Sequence, residues 1–157
     1  MDEHTMQSIV DSVVSKINST QNMTLETALM LAEKVKQKAR EMGVKAVVAI
    51  SDRSAHPVLA ESMDGAFIAS YDIALQKSFT VVSLKMSTSD LKPLASPGGS
   101  LYGIQFTNNG KIVIFGGGEP LKNTFGEIIG GLGVSGGTEE QDTALARYGK
   151  EIFEKGM

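Results

Sequence analysis

The chain has 157 residues, 41% hydrophobic and 21% charged, the balance of one globular domain with one substantial core. Its 15 Lys and Arg against 18 Asp and Glu leave a net charge of −3, which argues against a broad nucleic-acid-binding surface. It has no cysteine, which excludes disulfides, thiolate metal sites, iron–sulfur clusters and cysteine nucleophiles, and no apolar run approaches the ~18 residues of a membrane span.

The first predicted element is an amphipathic helix. Met6, Ile9, Val10, Val13, Val14 and Ile17 form one apolar stripe at helical spacing, with acidic residues at the start and Lys16 near the end, as the helix dipole favours. It lacks the basic start and long apolar block of a secretion signal. The polar stretch Asn18-Ser19-Thr20-Gln21-Asn22 reads as a linker. This helix either packs on its own domain or a neighbouring subunit, or serves as a detachable partner-binding segment.

Thr24 is a helix N-cap with Met23 and Ala28 as a staple, and Gly43 ends that helix. Leu25, Ala28, Leu29, Ala32, Val35, Ala39 and Met42 are its expected buried face. The β-branched run Val44 to Ser51 predicts a central strand, paired as a hairpin with His56 to Met63. Phe67 to about Ser83 carries apolar residues at helical spacing, and a polar stretch runs from Met86 to Pro93. Strands are expected over Leu101–Thr107 and Lys111–Phe115, joined through Asn108-Asn109-Gly110. Gly116 to Pro120 reads as a turn, and Glu127 to Val134 as a last strand. A final helix starts at Thr138, with Gln141 at capping-box spacing and Ala144, Leu145, Tyr148, Ile152 and Phe153 as its buried stripe. The expected fold is α/β in the α+β sense: a single central antiparallel sheet of about five strands, helices packed on both sides, and the N-terminal helix in addition.

Motifs narrow the function only partly. Gly131-Leu132-Gly133-Val134-Ser135-Gly136 has the G-x-G-x-x-G spacing, but a dinucleotide fold needs a strand after the following helix, and none can follow here. The glycines then serve close packing and a sharp turn, or the N–H groups near Gly137 and Thr138 bind an anion. Gly116-Gly117-Gly118 lacks the Lys-Ser/Thr of a phosphate loop. The two histidines, His4 and His56, are not spaced as a chelating pair, so no metal centre is assigned, although one histidine suffices as an axial haem ligand. Asp52 and Asp64 bracket the hairpin, where carboxylates satisfy turn backbone groups. No nucleophile–base set stands out, so no catalytic residue is assigned and a conventional enzyme is not expected. Ser96-Pro97-Gly98-Gly99-Ser100-Leu101-Tyr102-Gly103 is the most site-like loop.

Several segments together carry a family resemblance: Val47 to Arg53, Met63-Asp64, Tyr71 to Ser78, Ser96 to Gly103, Ile112 to Gly118, and Gly133 to Asp142. In this order the chain resembles the haem-binding HbpS/GlcG family, and within it the C-terminal domain of PduO-type cobalamin adenosyltransferases. The resemblance divides the chain into residues 1–22, a helix and linker, and residues 23–157, a domain of that family. The adenosyltransferase part of PduO is not in this sequence, so corrinoid adenosylation is not carried over.

The resemblance implies a homo-oligomer, often an octamer, that binds haem or, less favoured, a corrinoid. The cofactor contacts expected on this basis are His56, Ser100 and Tyr102. The alternatives are a haem-degrading or other accessory enzyme, and a structural oligomer without a ligand. The first helix and linker are similar to the peptides that direct enzymes into bacterial microcompartments. With the PduO resemblance, this implies a cytoplasmic protein that is cargo of a diol- or glycerol-processing microcompartment. Shell proteins would be its partners through residues 1–22, with no role for nucleic acid or membrane.

Overall fold

The computed structural model describes residues 1–19 and 21–157, and the side chains of all of these except Asn18 and Ser19. The elements are α1 (Glu3–Ser19), α2 (Leu25–Glu41), β1 (Val47–Asp52), β2 (Pro57–Ser62), α3 (Ile68–Leu84), α4 (Thr88–Ala95), β3 (Gly118–Lys122), β4 (Ile128–Ser135) and α5 (Glu139–Glu154). The strands form one antiparallel sheet in the order β2-β1-β4-β3. The β-branched run of β1 therefore lies centrally, as its composition predicts. No helix among the described residues is long and apolar enough to cross a membrane.

The two faces of the sheet differ. Val48, Ile50, Leu121, Leu132 and Val134 face α2 and α5 and form the main core with Leu31, Val35 and Leu145. Val47 and Ala49 face α3. On that side β4 presents Gly131 and Gly133, and an added Cβ at Gly133 would lie 2.0 Å from the Ala74 carbonyl oxygen of α3. The glycines of the G-x-G run thus let helix backbone approach strand backbone.

Local signals explain most boundaries. The Thr24 side chain accepts the Thr27 N–H, and Gly43 leaves α2 at φ +70°. Thr138 and Gln141 form the expected capping box of α5. The buried line of α2 is Ala28, Leu31, Ala32, Val35 and Ala39, whereas Leu25 and Leu29 are exposed. In α5, Leu145 is buried and Ile152 and Phe153 lie against the core, while Ala144 faces outward.

The sheet has four strands, not about five. Leu101–Thr107 and Lys111–Phe115 are not strands. Residues 104–106 and 108–110 form short 3-10 turns. Asn108, Asn109 and Gly110 all take positive φ (51°, 56° and 73°), which winds the chain instead of reversing it. Leu101, Ile104, Ile112 and Ile114 serve a separate small core with Leu91, Ala95, Phe79 and Leu84. The predicted turn at Gly116 to Pro120 instead enters the edge strand β3, where Pro120 needs no outward ladder donor. The polar stretch after Met86 becomes α4, capped by Ser87 accepting the Asp90 N–H.

Candidate functional site

The predicted contacts fall into two places. His56 follows the β1–β2 turn. The Asp52 carboxylate accepts the N–H groups of Ser54 (2.8 Å) and His56 (3.0 Å), which fixes this turn. The imidazole is 80% exposed, its Nδ1 3.8 Å from Asp52 Oδ2. At this distance the ring makes no hydrogen bond to Asp52, and His56 is an exposed imidazole on a fixed turn.

Ser100 and Tyr102 stand on the loop after α4. Pro93 sits inside α4, and the helix ends at Ala95. The chain then folds back on it: Gly99 N–H donates to Ser96 O (2.8 Å) and Leu101 N–H to Leu94 O (2.8 Å). A side chain at Gly99 would meet the Leu94 carbonyl oxygen at 2.2 Å, so the loop's tightness depends on that glycine. Leu101 and Ile104 anchor the loop in the small core, while Tyr102 (65% exposed) and Phe106 (83%) point outward. Between them Gln105 buries its Oε1 without a hydrogen-bond partner. The loop is therefore a rigid platform with exposed aromatic rings. Within one chain His56 lies at the β2 edge of the sheet, and the loop lies beyond α4, which packs on α3 and β3.

A third cluster went unrecognised in the sequence. Lys77 of α3 is fully buried. Its Nζ donates to Val134 O (2.8 Å) and to Asp142 Oδ2 (3.3 Å) and lies 5.0 Å from the Phe115 ring centre. Burial pulls the Lys77 pKa down and pushes the Asp142 pKa up, and the mutual attraction of the pair opposes both shifts. Gly117 passes directly over the ammonium, where an added Cβ would come within 2.5 Å. Asp142 Oδ1 also accepts the Gly137 N–H (2.8 Å), and Gln141 accepts that of Thr138. These N–H groups are therefore satisfied by α5 itself, which overturns the anion-binding reading of this turn. An apolar periodicity scan passes over Lys77; only its place on the helix face that meets the glycine strand could have flagged it.

Glu139 ties down the arch made by Gly116, Gly117 and Gly118. It accepts the Gly116 N–H (3.0 Å) and pairs with Lys92. These bonds hold its carboxyl below the ordinary value of 4.5. A depressed folded value means that the ionised form stabilises the fold: the contribution is present above pH 4.5 and is lost as pH falls through the lower value. Glu139→Gln is expected to lower stability at pH 7 by roughly 0.2–1 kcal/mol, the range of part-exposed pairs. It should leave stability in strong acid unchanged. Denaturant melts across pH check this, and an equal drop at both ends would contradict it.

No group of three or more His, Asp or Glu among the described residues is arranged to hold a metal ion.

Comparison with known proteins places this geometry. The family described as "Haem degrading protein HbpS-like" matches residues 23–151. A Citrobacter freundii protein described as an uncharacterized 15.0 kDa protein in the dhaT-dhaS intergenic region is 41% identical over 89% of this chain and 98% of its own length. The corrinoid adenosyltransferase PduO of Salmonella typhimurium is 38% identical over 71% of this chain, which spans 33% of PduO. Among solved structures, Klebsiella pneumoniae ORFY superposes with a TM-score of 0.82 at 42% identity, covering 85% of this chain and 92% of ORFY. A PduOC:heme complex superposes at 0.79 with 33% identity, covering 83% of this chain and 94% of that one. HbpS superposes at 0.74 with 28% identity, covering 85% and 91%. With the family matched over residues 23–151 and a relative 41% identical over 89% of this chain, the chain belongs to the HbpS-like family.

Proposed function

We propose that this protein binds haem and acts as an accessory protein in haem or tetrapyrrole handling. The observation that carries the reading is the likeness, over most of both chains, to a domain solved as a heme complex. This chain's own residues fit the group in kind: an exposed imidazole at His56 for the iron, and the exposed Tyr102 ring with Ser100 for the macrocycle face and a polar edge. The reading includes a homo-oligomer, an octamer in its finer form. A bound haem would supply iron redox and oxygen chemistry, and the chain's part is to hold it and limit access.

The family description favours a second reading, haem degradation. The two separate cleanly: bound haem that keeps its spectrum in the presence of reductant and oxygen supports the binding protein, and its bleaching supports the enzyme. The ligand is tested by His56→Ala, which is expected to abolish the Soret shift of the bound form. An unchanged shift would assign the iron to another residue. The dhaT-dhaS and PduO relatives support a further step, that the protein is cargo of a bacterial microcompartment, associated with its shell through residues 1–22.

A further inference from the structure

Helix α1 stands apart from the three hydrophobic cores, none of which includes any of its residues. Its stripe is uncovered: Met6, Ile9, Val10, Val13, Val14 and Ile17 are 39–58% exposed. A 17-residue helix with such a face is marginal in water unless the face is covered. The spacing of the stripe shows what can cover it. Its steps of three, one, three, one and three residues read the same from either end. A copy of α1 laid antiparallel about a twofold axis would set Met6 opposite Ile17, Ile9 opposite Val14, and Val10 opposite Val13, every apolar residue meeting another.

Charge agrees with this orientation. The acidic residues Asp2 and Glu3 open the helix and Lys16 lies near its end. Antiparallel pairing brings Lys16 of one copy to within about one turn, roughly 5 Å of rise, of the other copy's acidic start. It also opposes the two helix dipoles. Parallel pairing would instead set Glu3 beside Glu3 and Lys16 beside Lys16.

We propose that α1 is a self-association helix that pairs antiparallel with α1 of a second copy through the Met6–Ile17 stripe. This pairing does not depend on the haem reading, and it competes with the shell association of residues 1–22, because both would use this one stripe.

The absence of cysteine makes the test direct, since introduced thiols are the only ones present. Full-length Met6→Cys and Ile17→Cys proteins are treated, alone and mixed, with a bismaleimide no longer than the ~8–10 Å between packed helix axes. The mixture is expected to give a covalent dimer of one Met6→Cys and one Ile17→Cys chain, and each variant alone only background. Adding Val13→Asp, which puts a charge at the centre of the stripe, is expected to abolish that product. Cross-linking within each single variant but not between them would mean parallel pairing and overturn the proposal. No cross-linking in any sample would mean that another surface, such as a shell protein or the chain's own domain, covers the stripe, and would equally overturn it. So would a mixed product that survives Val13→Asp undiminished.

Discussion

Replacing Lys77 by methionine is expected to cost about 3–5 kcal/mol of folding stability, a large share of the roughly 5–15 kcal/mol that holds an ordinary domain. The reason is the charge left behind. Asp142 is nearly as buried as Lys77, and without the ammonium its Oδ2 faces an apolar interior between α3 and α5. Val134 O would lose its donor as well, and the Phe115 ring its cation. Because Asp142 Oδ1 also receives the Gly137 N–H, the informative second variant is Asp142→Asn. It removes the charge and keeps a carbonyl for that bond. The double variant Lys77→Met, Asp142→Asn should therefore be more stable than Lys77→Met alone. Urea unfolding at fixed protein concentration measures both. A Lys77→Met protein as stable as the parent would show that the pair contributes nothing to holding the arch and the start of α5.

Gly133→Ala is the second large effect. At this position β4 and α3 touch through their backbones, and the methyl group would lie 2.0 Å from Ala74 O and 2.8 Å from Ser78 N. No flexible side chain can yield, so helix and strand must separate. That movement opens the neighbouring contacts between Ser51 Oγ and Ser78 O and between Ser135 and Ser70. Overpacking costs about 1–3 kcal/mol where side chains can adjust, and the loss here should lie at or above the upper end. Gly43→Ala is the matched control: it too is destabilising, because of its positive φ, but its methyl would enter open space. The Gly133 variant should lose more in the same denaturation experiment. Equal losses would mean that the backbone contact at Gly133 costs no more than the strained φ at Gly43.

Much of this was legible in the sequence. Apolar stripes and caps placed α1, α2, α3 and α5 to within a few residues, and the β-branched run placed β1 at the centre of the sheet. The failures have one physical source. Periodicity reports which residues avoid water, not what they avoid it against. Leu101, Ile104 and Ile112 carry a strand-like apolar pattern yet pack in a small core beneath α4, and β3 hides behind glycines and a proline that read as a turn. The same limit concealed Lys77. A lysine inside an apolar helix reads as a solvated face until the partner strand, made of glycines, is seen to admit it.

The candidate site was legible in pieces. The Ser96–Gly103 loop stood out by composition, and it is a tight turn presenting Tyr102. His56 stood out only as one of two histidines. Nothing in the order of residues says that β2, which His56 precedes, and β3, on which α4 packs, take opposite edges of the sheet, because that is set by the crossover from β2 to β3.

The measurement that tests the central claim most directly is a haem titration of the purified full-length protein, followed by absorbance in the Soret region. Light scattering on the same sample would count the chains per assembly. Saturation at a fixed haem-to-subunit ratio with a shifted Soret band is the predicted result. Absorbance that rises linearly without saturation, with the band of free haem, would contradict it.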